Sequence, residues 1–131
     1  MLAEYGDDSV AQLGGAHVAV EGASNLLTKV LEWGRLASYL EQSTRYIRLD
    51  DRPDGNYRYF RPAAVLADAT CGPAYTAILD EAFTTYAQLL PQMVAHLDGV
   101  LAADPATPAA ARERAIRAHA LDALRGLLPA A

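Results

Sequence analysis

The spacing of hydrophobic positions along this chain changes near residue 72. Before it, apolar side chains come in short groups broken by turn-forming residues; beyond it, they recur every three or four positions. In the first part, Asp8 and Ser9 are placed to cap a short helix running through Gln12, which Gly14 and Gly15 then stop. Ala16 to Glu21 alternates weakly and predicts a short strand. Ser24 is an N-cap candidate for a helix over 25–33, with Leu26, Leu27, Val30, Leu31 and Trp33 on its apolar face and Gly34 at its end. Leu36 to Leu40 is ambiguous. Glu41 to Leu49 (EQSTRYIRL) is rich in strand formers and predicts a strand. Asp50 to Asn56 (DDRPDGN) has the chemistry of a turn, and Tyr57 to Phe60 is a short aromatic extension closed by Pro62.

In the second part, Tyr75, Ile78, Leu79, Ala82, Phe83, Tyr86, Leu89 and Leu90 form a helical stripe, continued by Met93, Val94, Leu97, Val100 and Leu101. Pro91 removes one backbone donor and predicts a kink. Asp104 to Pro108 breaks the helix, and 109–128 forms another, with Ile116, Ala120, Leu124, Leu127 and Leu128 on one side. The expected fold is α+β and helix-dominated. A small antiparallel sheet holding the Glu41–Leu49 strand packs against the helix near Leu26, with long C-terminal helices alongside. Residues 1–131 make one domain, 1–62 being the sheet part and 72–128 the helical part. The tyrosines and Phe83 of the stripe are read as core. The stripe from Tyr75 to Leu101 is longer than a small sheet can cover, so it is expected to meet another copy in a homo-oligomer.

Composition narrows the function classes. The chain has 131 residues, 52% of them hydrophobic and 21% charged, which fits a globular domain. A net charge of −5 argues against a protein that coats nucleic acid, though it leaves room for one local phosphate pocket. Cys71 is the sole cysteine, so no internal disulfide forms and a cytoplasmic origin is expected. No basic leader precedes Glu4, Asp7 and Asp8, and no apolar run is long enough for a membrane span. His17, His96 and His119 lack metal-ligand spacing, so no metal site is expected. The motif-like opening Tyr5-Gly6-Asp7-Asp8-Ser9 and the apolar close Leu127–Ala131 lead us to expect a piece of a longer protein.

Chemistry concentrates between Arg35 and Arg48. On a strand, Glu41, Ser43 and Arg45 share one face. An acceptor, a hydroxyl and a guanidinium together can hold a phosphorylated polar ligand, Arg45 gripping phosphate with its fork of donors. From spacing alone, a solvated face with an ordinary Glu–Arg pair explains the same residues and is the commoner outcome. The stretch Trp33 to Tyr46 reads WGRLASYLEQSTRY. It aligns without gaps on RHRxxSxNExSxRY and resembles the signature of the flavin-dependent thymidylate synthases, matching at Arg35, Ser38, Glu41, Ser43, Arg45 and Tyr46. Asp8-Ser9-Val10 followed by Gln12 is similar to an early family segment, and Ala120 to Pro129 (ALDALRGLLP) looks like the family's run into a Leu-Pro pair.

The resemblance implies formation of dTMP from dUMP, with methylenetetrahydrofolate as carbon donor and FAD, reduced by NADPH, as electron carrier, in a homotetramer. It implies FAD contacts from Ser9, Gln12 and Arg35, and dUMP contacts from Glu41, Ser43 and Arg45. Ser43 is then a binding hydroxyl, since no base beside it could make it a nucleophile, and no catalytic residue is assigned. The departures are specific: Trp33 and Gly34 stand where the family has Arg and His, Leu40 where it has Asn, Asp7 where it has His, and Gln12 where it has Glu. Each loss removes a polar contact that a buried cofactor needs. The chain is therefore expected either to be an incomplete, inactive part of such an enzyme or a degenerate half serving assembly or nucleotide binding. We expect the purified 131-residue chain to carry no FAD. Calorimetric titration checks this, and micromolar affinity for FAD is the contrary result.

Overall fold

In a computed structural model, residues 14–130 are described. They form helices joined by irregular segments, with no strand among them. The helices are α1 (Asn25–Leu31), α2 (Ala63–Leu66), α3 (Cys71–Val100) and α4 (Ala109–Leu124). Short 3-10 turns lie at Thr44–Tyr46, Pro53–Gly55 and Arg125–Leu127.

The core is the seam between α3 and α4. Tyr86 and Leu90 from α3 meet Ala120, Leu121 and Leu124 from α4, with Leu89, Met93, Val94 and Leu97 at the margin. Ala120 is fully covered, and its small side chain lets the two helices approach closely. A second cluster joins Phe83 to Tyr57 and Tyr59, whose ring centroids lie 5.3 and 5.6 Å from it. Here segment 57–60 bends tightly, the Tyr59 amide donating to the Tyr57 carbonyl at 3.1 Å, and lays both tyrosines on α3, where their hydroxyls find Thr84 and Asp80 at 3.2 and 3.0 Å. Arg52 and Arg61 cover the outer faces of the two tyrosines at 4.0 and 3.9 Å. Leu49 and Leu128 pack against both clusters.

Local chemistry sets the ends of the helices. The Asp68 carboxylate accepts from the amides of Thr70 and Cys71 at 2.8 and 2.7 Å, which gathers the start of α3. Gly72 is buried because α2 passes over it; a Cβ there would lie 2.7 Å from the carbonyl oxygen of Leu66. α3 continues through Pro91, which is exposed. At the far end, Arg112 of α4 bonds the Asp98 carboxylate and donates to the carbonyls of Asp98 and Leu101 at 2.9 and 3.0 Å. It thereby takes up acceptors that the end of α3 leaves open.

Three expectations change. The α+β fold with an antiparallel sheet is replaced by an all-helical arrangement among the described residues. Residues 16–21 are irregular, and 41–49 is an open segment holding one 3-10 turn. Ile47 keeps extended dihedrals (φ −105°, ψ 130°), yet no second strand lies beside it. Strand propensity describes fit to a pleated neighbour and cannot supply one. The apolar face of α1 has no sheet to cover: Leu26, Leu27, Val30 and Leu31 are 42–60% exposed. The α3 stripe, in contrast, is largely met by α4 and by segment 57–60 of the same chain, so it no longer argues for association. The expected helix through Gln12 lies outside the described residues.

Leu121→Ala removes a side chain that is 2% exposed at the seam, and should cost about 2–5 kcal/mol. Leu40→Ala, at a fully exposed position, should change stability by less than about 0.5 kcal/mol. Urea unfolding of the two variants checks the ranking; equal losses would place the core elsewhere.

Candidate functional site

The signature stretch leaves α1 through an open turn and crosses the lower end of α4. Ser24 caps α1, accepting from the amide of Leu27 at 3.1 Å. The turn after it brings Tyr39 back over Gly34, where its hydroxyl donates to the Gly34 carbonyl at 3.0 Å. That hydroxyl stands in the space a side chain at 34 would enter. Arg35 stands exposed in this turn and bonds no other described residue. Ser9 and Gln12, the other expected FAD contacts, lie outside the described residues.

Glu41, Ser43 and Arg45 do not share a strand face. Glu41 turns back to α1, accepting from Thr28 Oγ1 at 2.8 Å and Lys29 Nζ at 2.9 Å. These bonds, that from Lys29 first, hold its carboxyl below the usual range, and the same contact raises the Lys29 ammonium. Ser43 caps the 3-10 turn, its oxygen accepting from the Arg45 amide at 3.4 Å and its own proton remaining free to donate. Arg45 reaches away to α4, where Nε lies 3.3 Å from Asp122 Oδ1. The expected Glu41–Arg45 pair is thus replaced by two separate pairs.

The same Asp122 oxygen lies 3.3 Å from Nε of Arg125, whose Nη1 donates to Thr44 Oγ1 at 2.8 Å. Two guanidinium groups from segments eighty residues apart therefore meet around one carboxylate. Thr44, Asp122 and Arg125 also line an open cleft of about 320 Å³, together with Asn25, Leu49, Gly126 and Leu128–Ala130. Asp122, Arg125 and Thr44 were missed as candidates from the sequence. Their available signal was the three-residue spacing of Asp122 and Arg125 within the Ala120–Pro129 run. Chemically, the cluster offers charge-assisted donors and one hydroxyl at the rim of a cleft, which suits a phosphate-bearing ligand.

Comparison with known proteins gives this arrangement its family. The sequence model of the thymidylate synthase complementing protein family matches residues 1–131. The chain belongs to that family. It is 43% identical to a UPF0159 protein of Chlamydia pneumoniae and 42% identical to one of Chlamydia muridarum, in each case over its whole length but only 25% of the relative. A UPF0159 protein of Thermoplasma acidophilum is 36% identical over 69% of this chain and 18% of its own length. The chain thus spans about a quarter of the length of the first two. No solved structure matches it.

A flavin is what the resemblance of the Trp33–Tyr46 stretch would imply. The residues described do not fit a flavin cradle. Trp33 and Arg35 lie open to solvent, Tyr39 occupies the space over Gly34, and no described side chain has a buried polar atom awaiting a partner. No group of His, Cys, Asp and Glu capable of holding a metal occurs among the described residues, and no described helix is long and apolar enough to cross a membrane.

Lys29→Gln should move the Glu41 pKa upward toward the ordinary carboxylate value, because its largest lowering contact is gone. In the wild type, the depressed pKa means the pair's contribution is present at neutral pH and fades as pH falls through the folded-state value. Side-chain carboxyl NMR titration reads the shift; an unchanged Glu41 pKa in the variant would show that the Lys29 bond does not form in solution.

Proposed function

We propose that this chain supplies the nucleotide-binding part of a thymidylate synthase-like protein, with the phosphate of dUMP taken by the Arg45 and Arg125 guanidiniums. The observation that supports the reading is their convergence around Asp122, beside the cleft that Thr44 and Arg125 line. Arg45 belongs to the signature stretch and Arg125 to the run into Leu127-Leu128-Pro129, so two family-like segments meet at one place. Ser43 donates its free hydroxyl proton to the ligand. Glu41 accepts from a sugar hydroxyl after leaving Lys29.

Conversion of dUMP to dTMP with methylenetetrahydrofolate, FAD and NADPH is the activity we propose for the whole protein. The flavin contacts proposed for Ser9, Gln12 and Arg35 are insufficient within this chain, because the neighbouring signature positions are Trp33 and Gly34. The role proposed for residues 1–131 is limited to holding the nucleotide as a single family domain.

One observation favours a second reading, an assembly module. Val18, Val20, Trp33, Leu36 and Leu40 are each more than half exposed, as are Leu26 and Val30 of α1. A surface this apolar in the first part of the chain suits contact with other segments or subunits in a homo-oligomer.

Calorimetry with dUMP separates the two. A hydrogen bond to a charged group contributes about 1.5–3 kcal/mol, so Arg45→Ala and Arg125→Ala should each weaken dUMP binding roughly tenfold to more than a hundredfold. Arg45→Lys should weaken it too, since a point charge does not reproduce the guanidinium fork. Arg117→Ala, at an exposed position paired with Glu113, should leave it unchanged. Equal effects at Arg45 and Arg117, or absence of dUMP binding by a self-associating wild type, would favour the assembly reading.

A further inference from the structure

The Arg45–Asp122–Arg125 cluster contains a carboxylate where an anionic ligand would want none. Asp122 places a single oxygen between two guanidiniums, at 3.3 Å from each Nε. That is longer than a charge-assisted hydrogen bond, which typically runs about 2.7–2.9 Å. The three side chains are 58%, 38% and 43% exposed for Arg45, Asp122 and Arg125, so water screens both pairs. These contacts are too weak to be a structural lock. Nor are they needed to seat α4, which the Tyr86–Leu121 seam already holds. Their effect is electrostatic: Asp122 keeps two like charges together and cancels one of them.

We infer that Asp122 is an internal stand-in for the phosphate, a carboxylate that occupies the two guanidiniums in the empty site and competes with the anion that displaces it. The inference rests on the nucleotide-binding reading above and adds the residue that sets its affinity. Arg45 and Arg125 carry two positive charges against the one negative charge of Asp122, leaving a net charge of +1 in the cluster. A phosphate monoester offers more oxygens and more negative charge than a carboxylate, and it can engage a fork of donors on each guanidinium. It therefore wins the exchange, at the cost of releasing Asp122 to water. Thr44 stays bonded to Arg125 Nη1 and limits how far that side chain moves during the exchange.

The alternative role for Asp122 is to aim the arginines, in which case its loss weakens binding. The two roles predict opposite signs. In calorimetric titrations with dUMP and with inorganic phosphate at low ionic strength, Asp122→Asn should bind both roughly fivefold more tightly than the wild type, the scale expected for removing an exposed ion-pair competitor. The gain should shrink as salt is raised. Deoxyuridine, which lacks the phosphate, should show no gain. Glu113→Gln changes the net charge equally on the same helix but lies in a pair with Arg117, and should give no gain either. Thermal unfolding of Asp122→Asn, and a second variant Asp122→Ala, guard against a folding effect. Unchanged or weaker phosphate and dUMP binding by both Asp122 variants, or an equal gain from Glu113→Gln, overturns the inference. Binding by the wild type without a gain in the variants sinks this inference alone; binding by neither wild type nor variants sinks the nucleotide-binding reading with it.

Discussion

The contact between α3 and α4 is the constraint on which the remaining structure depends. Ala120 is small enough to bring α4 against Tyr86 and Leu90, and Leu121 and Leu124 complete the seam. On α4, Asp122 directly follows Leu121, and Arg125 follows Leu124 at the helix end. Burial of the two leucines therefore orients the polar pair between and beyond them toward the edge of the seam, where Thr44 and Arg45 cross. The energy resides in apolar burial, while the exposed ion pairs add little stability and define the chemistry.

The site and the core meet at Leu49 and Leu128. Both pack against the two hydrophobic clusters, and both line the cleft beside Arg125. The cleft floor thus continues the core, whereas its rim carries the exposed side chains of Arg125 and Asp122. A ligand replacing Asp122 at the guanidiniums would need no rearrangement of the helices. By contrast, the first part of the chain is held by few contacts. α1 packs on no other described helix and is tied to the signature stretch chiefly by Thr28 and Lys29 through Glu41. Its apolar side chains remain available to whatever else the protein presents.

The family assignment and the structure bear on different parts of the chemistry. Membership rests on the whole chain, while the relatives that resemble it are about four times as long. Arg45 and Arg125 converge around Asp122. Trp33 and Gly34 stand where the signature they resemble has Arg and His, and the Tyr39 hydroxyl stands over Gly34. The substitutions are consistent with one another: where the cationic and imidazole side chains are gone, the local backbone is satisfied by a tyrosine of the same turn.

Periodicity alone located α3 and α4 and most of the core, because a stripe recurring at helical spacing has only one geometry in which it can be buried together. Ser24 as a cap was legible for the same local reason. The sheet was not, because a strand exists only if another lies beside it, and EQSTRYIRL carries no information about a neighbour. The site was half legible. Arg45 stood out through the signature stretch, but its partner Asp122 lies on a distant helix, and Glu41 pairs with Lys29 instead of with it. Sequence spacing fixes which residues share a face only within a continuous helix or strand. Once 41–49 forms neither over its length, only the tertiary path of the chain decides which charges meet, and the α3–α4 seam brings Asp122 and Arg125 to Arg45.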